Sequence, residues 1–188
     1  MRIIPYTTLS DDFLILRPFQ FDDARELYAA VNESLSELNP WMSWARVGYS
    51  QSDAMTYITM ARAEWGEGSM FSFAVIDKET GALLGACGLS HIHPVYFYCN
   101  LGYWVRTSQR GRGIAGRAAR LVARFGFKEL RLVRVEVVVA VGNETSLRVA
   151  EKIGAQREGV LRNRVIVRND LHDAVMFSFI PKDLDVPG

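Results

Sequence analysis

The stretch that decides the fold is "NLGYWVRTSQRGRGIAGR", residues Asn100–Arg117. It begins with a short apolar run typical of a strand, and its last ten residues hold three glycines and three arginines. The first amides of a helix have no partner inside the helix and carry the positive end of its dipole. Glycines let a phosphate approach such amides, and arginines add positive charge. The stretch therefore predicts a pyrophosphate-binding turn at a helix N-terminus.

An amphipathic helix and a strong strand follow this turn. The helix carries apolar residues on one face, at Ile114, Ala118, Leu121, Val122 and Phe125. The valine-rich run Leu132–Val141 predicts a buried strand. A strand, a helix and a strand in this order form a crossover between parallel strands. We therefore predict a strand–helix–strand unit from Asn100 to Val141.

Further strands and helices flank this unit. We predict a strand at Phe13–Phe19, a helix at Asp22–Asn32 capped by Asp22, and a second helix capped by Ser52. "FSFAVID" with "GALLGACGLS", and "VLRNRVIV" with "LHDAVMFSFI", have the pattern of two β-hairpins. The fold class is therefore α/β, a mixed sheet flanked by helices, and we expect one domain over residues 1–188.

The composition is that of an ordinary globular protein, with 49% apolar and 23% charged residues and a net charge of +1. No run approaches the roughly 20 apolar residues of a membrane span, and "MRIIPYTTLSDDF" at the start does not look like a secretory signal. Cys87 and Cys99 lie in strand-like runs without metal-ligand spacing. We therefore expect a cytoplasmic protein with two reduced, buried thiols, no metal and no membrane contact.

Two common phosphate-binding patterns do not fit the turn. The P-loop pattern G-x-x-x-x-G-K-[ST] would start at Gly111, but Arg117 and Ala118 stand at its last two positions. The dinucleotide pattern G-x-G-x-x-G also starts at Gly111. It needs an acidic residue after the next strand, whereas Glu129 comes before that strand.

A third pattern fits the turn. "RGRGIA", residues Arg110–Ala115, matches R/Q-x-x-G-x-G/A, the acetyl-CoA pyrophosphate motif of the GNAT N-acetyltransferase superfamily. Over nearly its whole length the chain resembles the ribosomal-protein N-terminal acetyltransferase (RimJ/RimL) branch of that superfamily. The resemblance is carried by stretches such as "LNPWMSWARVGYS", "LGYWVRTSQRGRGIA" and "NETSLRVAEKIGAQREGVLR". It implies an N-acetyltransferase with acetyl-CoA as cosubstrate, two parallel strands that splay around it, and a homodimer.

The resemblance also implies which residues meet acetyl-CoA. The backbone of Trp104 and Val105 would pair with pantetheine amides, and the Val105 amide would stabilise the oxyanion. Asn143 matches an asparagine that contacts CoA, and Ser146 matches a hydroxyl that protonates the departing thiolate. Both residue types also suit the start of a helix. Pyrophosphate would lie on the amides of Arg110, Gly111, Arg112, Gly113, Ile114 and Ala115, with side chains of Arg106, Arg112 or Arg117 nearby.

The general base is left open by the sequence. Family members place a glutamate at positions that hold Asn100 and Val165 in this chain. The first candidates among the remaining residues are Glu136 on the central strand and His91. The further candidates are His93, His172 and Asp173, and a chain of water molecules is the last alternative.

The implied acceptor is an amine. A protein or peptide N-terminus is the first choice, and a small amine, such as a polyamine, an amino acid or an amine-bearing antibiotic, is the second. Trp41 and Trp44 lie in the segment that lines the acceptor side in this branch. The acidic Glu33, Glu37 and Asp53 could attract a cationic acceptor. A non-catalytic acyl-CoA-binding module and nucleic-acid binding by the arginine-rich helix are the competing hypotheses, although a net charge of +1 gives no general attraction to nucleic acid.

Overall fold

The fold is built on one mixed sheet. The computed structural model describes residues 4–187. Its strands are β1 Leu9–Ser10, β2 Leu14–Pro18, β3 Phe71–Asp77, β4 Leu83–Ser90, β5 Tyr98–Val105, β6 Arg134–Ala140, β7 Gln156–Val167 and β8 Asp170–Phe179. They lie in the order β1-β2-β3-β4-β5-β6-β8-β7. Neighbouring strands are antiparallel except for β5 and β6, which are parallel.

Helices cover both faces of the sheet. They are α1 Ala24–Glu33, α2 Leu35–Leu38, α3 Gln51–Glu67, α4 Ile114–Lys128 and α5 Glu144–Lys152, with short 3-10 turns at Phe21–Asp23, Thr107–Gln109 and Pro181–Leu184. The predicted strand–helix–strand unit is confirmed as β5, α4 and β6. The two predicted hairpins are confirmed as β3 with β4 and β7 with β8.

Both predicted helix caps are wrong, by one and two residues. Asp23, not Asp22, fixes the start of the first helical segment, because its carboxylate accepts the Gln20 amide at 2.7 Å. Ser50, not Ser52, caps α3: the Ser50 hydroxyl accepts the amide of Asp53 at 3.2 Å, and the Asp53 carboxylate accepts the amide of Ser50 at 2.8 Å. This reciprocal capping box satisfies two amides at once, which Ser52 could not do.

Two apolar cores lie on opposite faces of the sheet. On one face Val122 and Phe125 of α4 pack with Val135 and Phe177. The other core joins side chains of α1 and α3 to the sheet and includes Trp104. Strands β2 to β5 therefore send side chains into both cores, whereas β6 and β8 contribute only to the core under α4.

The two cysteines are buried and free, as the sequence predicted. Burial raises the pKa of the Cys99 thiol to about 12 and also raises that of Cys87. Thiols with raised pKa values form little thiolate and are weak nucleophiles. Both cysteines therefore act as core side chains.

Candidate active site

The parallel strands β5 and β6 part from each other and leave a gap in the sheet. They are in register over Tyr98–Asn100 opposite Arg134–Glu136. Beyond those three pairs, β5 continues to Val105 and β6 continues to Ala140 without further pairing between them in the described chain. The apex of the gap is thus at Asn100, and the gap widens toward the glycine-rich turn.

A cavity of about 260 Å³ lies in this gap. It brings together Asn143 and Ser146, both predicted from the sequence, with Tyr103, which sequence reasoning missed. The residues that line it are uncharged: among residues 4–187, no aspartate or glutamate is part of the lining. The lining residues are Trp41, Met42, Asn100–Tyr103, Val137–Ala140, Asn143, Ser146 and Val165–Val167.

The backbone of β5 offers alternate residues to the gap. The Arg106 amide donates to the Leu84 carbonyl at 2.8 Å, and β4 pairs with β5 in constant register. Because alternate residues of an antiparallel strand bond to the same neighbour, the backbone of Trp104 faces β4, while that of Tyr103 and Val105 faces the gap. A Cβ placed on Gly85 would lie 2.1 Å from the Trp104 carbonyl oxygen, in agreement with this direction. The sequence prediction named the backbones of Trp104 and Val105 as the groups that pair with pantetheine. In the structure the backbones of Tyr103 and Val105 are the ones that face the gap, so Trp104 is wrong in that pair.

Side chains alternate in the same way. Asn100 and Gly102 lie on the face of β5 that also carries Trp104, toward α1 and α3. Tyr103 lies on the opposite face, toward α4 and α5. The gap thus opens on two chemically different faces of one sheet. The alternation of "NLGYWV" is the signal that could have identified Tyr103 from the sequence.

The glycine-rich turn has the conformation expected of an anion site. Gly111 and Gly113 have φ angles of +79° and +75°, and a Cβ at either position would meet nothing within 4 Å. Gly113 precedes α4 without a side-chain cap, and none of the amides over Gly111–Gly116 donates a hydrogen bond within the described chain. The predicted set of free amides is wrong at Arg110, whose amide donates to the Thr107 carbonyl at 3.2 Å. Gly116 serves packing instead, since a Cβ there would lie 2.8 Å from Ile153. Open, unpaired amides at a helix N-terminus suit a phosphate.

The arginines near the turn fall into two groups. Arg106 is bound to Glu33 at 2.6 Å, and Arg117 pairs with Asp11 at 2.9 Å. Arg110 and Arg112 have 39% and 46% of their side chains accessible, and their nearest carboxylates are farther away, at 3.9 and 4.0 Å. Arg110 and Arg112 are therefore the cations best placed to meet an incoming anion.

Three residues at the end of α1 and in α2 hold the segment that leads into the turn. The Glu33 carboxylate accepts from Arg106 and from the Ser108 amide at 2.8 Å. The Ser34 hydroxyl accepts the amide of Thr107 at 3.0 Å, and Glu37 accepts the Thr107 hydroxyl at 2.8 Å. We call Glu33, Ser34 and Glu37 the α1–α2 clamp.

The clamp changes the role expected of the acidic N-terminal residues. The Arg106 guanidinium bonded to Glu33 lowers the pKa of that carboxyl to about 2. Glu37 is held by Thr107, and Asp53 is held by Ser50 and Arg46. Each of these carboxylates is bonded within the chain and none lines the cavity, so the attraction of a cationic acceptor stays a prediction.

Ser146 lies in a small hydrogen-bonded group on the α5 side of the gap. Its amide donates to the Asn143 side-chain oxygen at 3.2 Å, so Asn143 caps α5. The Tyr103 hydroxyl lies 3.2 Å from the Ser146 hydroxyl. Burial raises the pKa of Tyr103 to about 12, so the tyrosine is protonated at neutral pH. The two hydroxyls form a pair that can hold and pass a proton.

The candidate bases are dispersed. The Glu136 carboxylate is opposite Asn100 but accepts from Arg134 Nε at 2.9 Å. His91 is exposed outside the cavity lining, with Nδ1 3.0 Å from the Ser90 hydroxyl. Asp173 accepts the Asn163 amide at 2.8 Å. His93 is stacked between Tyr96 and Tyr98, and His172 lies opposite Val165 in the last hairpin.

The segment with the two tryptophans lies at the gap. Trp41 lines the cavity, as does Met42. Trp44 is 43% exposed and packs against Trp104 with ring centroids 6.0 Å apart. Met42 also packs against the core on the α1 and α3 face, and the Trp41 ring lies 3.6 Å from where a Cβ on Gly142 would stand. Trp41 and Met42 form an apolar wall of the cavity.

A family comparison identifies this arrangement. Residues 14–156 match the family model described as acetyltransferase (GNAT) domain. The chain belongs to the GNAT acetyltransferase family. It is therefore an acetyl-CoA-dependent N-acetyltransferase, and the predicted mixed α/β GNAT fold is confirmed.

Individual relatives of this GNAT chain are similar over almost their whole length. A Bacillus subtilis (strain 168) protein named "Putative ribosomal N-acetyltransferase YdaF" is 28% identical over 95% of this chain and 97% of its own. A Vibrio cholerae structure described as "a putative ribosomal-protein-serine acetyltransferase" is 28% identical, with a TM-score of 0.84 over 94% and 99% of the two chains. RimL, a ribosomal L7/L12 alpha-N-protein acetyltransferase solved with coenzyme A, shares the fold at 19% identity, with a TM-score of 0.84 over 93% and 98%.

Two further features of this GNAT chain bear on its chemistry. Among residues 4–187, histidine, cysteine, aspartate and glutamate side chains do not gather in threes at any place where they could hold a metal ion. The same part of the chain has no helix with the length and apolar character needed to cross a bilayer.

The first prediction concerns Gly113. Gly113→Val should weaken acetyl-CoA binding by at least about tenfold, because the side chain would cover open amides at the start of α4. Calorimetric titration with acetyl-CoA measures this. Gly48→Val is the matched control, since Gly48 has φ +83° and equally open surroundings away from the turn. Wild-type affinity in Gly113→Val would remove the turn from the acetyl-CoA site.

The second prediction concerns the clamp. Glu33→Gln should raise the KM for acetyl-CoA roughly fivefold, the equivalent of about 1 kcal/mol for a partly exposed ion pair, with kcat almost unchanged. Glu67→Gln, an exposed residue on α3, should leave both constants as they are. An unchanged KM in Glu33→Gln would show that the clamp does not shape the turn.

The same ion pair predicts a pH dependence of stability. The pKa of Glu33 is lowered from 4.5 to about 2, so its contribution is complete above the unfolded value and lost as the pH falls from about 4.5 toward 2. The difference in melting temperature between wild type and Glu33→Gln should therefore be constant above pH 5 and shrink below it. Thermal melts across that range measure the difference, and a gap that persists at pH 2 would contradict it.

Proposed function

We propose that this enzyme acetylates the α-amine of a protein or peptide N-terminus. The observation that carries the proposal is the two-faced gap between β5 and β6. Its lining offers neutral polar groups and an apolar wall of Trp41 and Met42. A polyamine carries further ammonium groups, and these need carboxylates when they are taken out of water. A peptide N-terminus has one amine, followed by neutral backbone, and suits this lining better. The acceptor's identity as a ribosomal protein, and dimerisation, stay predictions.

The residues of the gap and the turn fit acetyl-CoA. Pyrophosphate would lie on the open amides of Gly111 to Ala115, with Arg110 and Arg112 supplying positive charge. Pantetheine would lie along β5, where the backbone of Tyr103 and Val105 is free to pair with it. The amides of the same two residues are suited to stabilise the oxyanion of the thioester carbonyl. Gly102 leaves room beside the acetyl group.

The two faces of the gap suggest where the amine approaches the thioester and where sulfur departs. The amine approaches from the face of Trp41 and Asn100, and sulfur leaves toward the face of Tyr103 and Ser146. The Ser146 hydroxyl is the proton donor to the thiolate. The Tyr103 hydroxyl lies 3.2 Å from the Ser146 hydroxyl and holds it in place. Tyr103 can also return a proton to the Ser146 oxygen after that hydroxyl has protonated the thiolate.

A panel of acceptors tests the proposed function. We expect CoA release with peptides that have a free N-terminus. Two other acceptors should release CoA at least about a hundredfold more slowly at pH 7.5. One is the same peptide with a formylated N-terminus and an internal lysine, and the other is spermidine. Fragmentation mass spectrometry locates the acetyl group. Preferential turnover of spermidine, or acetylation of the lysine Nζ, would overturn the peptide proposal.

The role of Ser146 is tested by its removal. Ser146→Ala should lower kcat about a hundredfold while the Kd for acetyl-CoA stays within about twofold, because the hydroxyl acts only when sulfur departs. Tyr103→Phe should have a smaller effect, and the two changes should be far from additive. Ser52→Ala on the exposed surface of α3 is the control. An unchanged kcat in Ser146→Ala would remove Ser146 from the mechanism.

A further inference from the structure

An unpartnered carboxamide stands at the apex of the gap. Asn100 is the last residue of β5 that pairs with β6, and it lines the cavity. Its side-chain oxygen is buried and has no hydrogen-bond partner among the described residues. Burying such an oxygen without a partner costs free energy. Because the carboxamide is not tied down, a half-turn about χ2 can present either its oxygen or its NH2 group to the cavity.

The charged and titratable groups around Asn100 are engaged elsewhere. On β6, Glu136 is bound to Arg134. On the β4 side, Ser90 lies opposite Asn100 and its hydroxyl contacts His91. On β5, the Cys99 side chain points to the other face of the strand.

Of the more distant titratable groups in the described chain, only Tyr103 is among the residues that line the cavity. Tyr103 is paired with Ser146, and from the last hairpin Asp173 holds the Asn163 amide. His172 lies opposite Val165. The free polar group at the apex is therefore an amide, which can accept a hydrogen bond but cannot take up a proton at neutral pH.

We propose that the Asn100 carboxamide oxygen receives and orients the attacking amine, and that the amine must arrive there already neutral. Its nitrogen lone pair forms the C–N bond and the C–S bond breaks. The amine loses one proton and sulfur gains one, transferred through the Ser146 hydroxyl, so the step balances without a separate base. Asn100 is then a positioning residue that determines which amines react.

This inference rests on the proposed function and narrows its substrate class. A peptide α-amine has a pKa of about 7.8 and is about one-third neutral at pH 7.5, whereas a lysine-like amine with a pKa of about 10.4 is only about 0.1% neutral. A site that does not remove the proton therefore favours the α-amine about 250-fold at equal intrinsic reactivity. The preference for the α-amine therefore comes from its larger neutral fraction and not from the shape of the cavity.

The pH dependence of kcat/KM tests the inference. Two accepted amines with different pKa values, determined by NMR titration, are compared on the wild-type enzyme. We expect log kcat/KM to rise with unit slope and to level off at the pKa of each amine, so that the break moves with the acceptor. A break at the same pH for both acceptors would show that an enzyme group removes the proton, and would overturn the inference. The acceptor panel decides separately which class of amine is used. A failure of the proposed function is therefore distinguishable from a failure of the inference that the amine must arrive neutral.

Variants at Asn100 give a second readout. Asn100→Ala should lower kcat/KM roughly tenfold to a hundredfold, with an unchanged Kd for acetyl-CoA and a break that still follows the acceptor. Asn100→Glu should move the break below the pKa of the amine, because a carboxylate can take the proton. Gln156→Ala removes an exposed carboxamide outside the cavity and should retain wild-type rates. Wild-type kcat/KM in Asn100→Ala would overturn the inference.

Discussion

The structure depends on the short pairing between β5 and β6. Backbone amides and carbonyls inside a protein need partners, and a parallel pair normally supplies them along its whole length. Here pairing stops after three residues, at Asn100. The remaining backbone groups of β5 are left for a ligand, in a sheet otherwise held by antiparallel ladders. The candidate binding site is therefore an interruption of the sheet, between apolar cores on its two faces.

The glycine-rich turn follows β5, and the α1–α2 clamp holds the segment between them. Glu33 and Ser34 fix the residues between β5 and the turn through bonds to Arg106, Thr107 and Ser108. The Glu33 and Glu37 carboxylates, which the sequence suggested as an attraction for the acceptor, thus hold the segment that leads into the turn. Because the clamp belongs to the helical segment that leads to Trp41, the acceptor wall and the turn are physically connected.

Chemistry divides between the two faces of the gap. Tyr103 and Ser146 form a hydroxyl pair on the face of α5, the face toward which we propose that sulfur departs. Asn100 and Gly102 lie on the other face, toward the core against which Met42 packs. In the proposed mechanism, alternation along β5 separates the side of amine attack from the side of sulfur departure, because successive side chains of a strand point in opposite directions.

The sequence alone determined the glycine-rich turn before a helix, the crossover unit, the hairpins and the family, because these depend on local patterns and on spacing. It also indicated Asn143 and Ser146, which the fold brings into one cavity with Tyr103. Only the tertiary structure decided that Arg106 is bound to Glu33, 73 residues away, while Arg110 and Arg112 are left toward solvent. It also decided that the Trp104 backbone faces β4 and that Asn100 has no partner. Pairing between distant residues follows strand register and helix packing, and a pattern along the chain does not specify either.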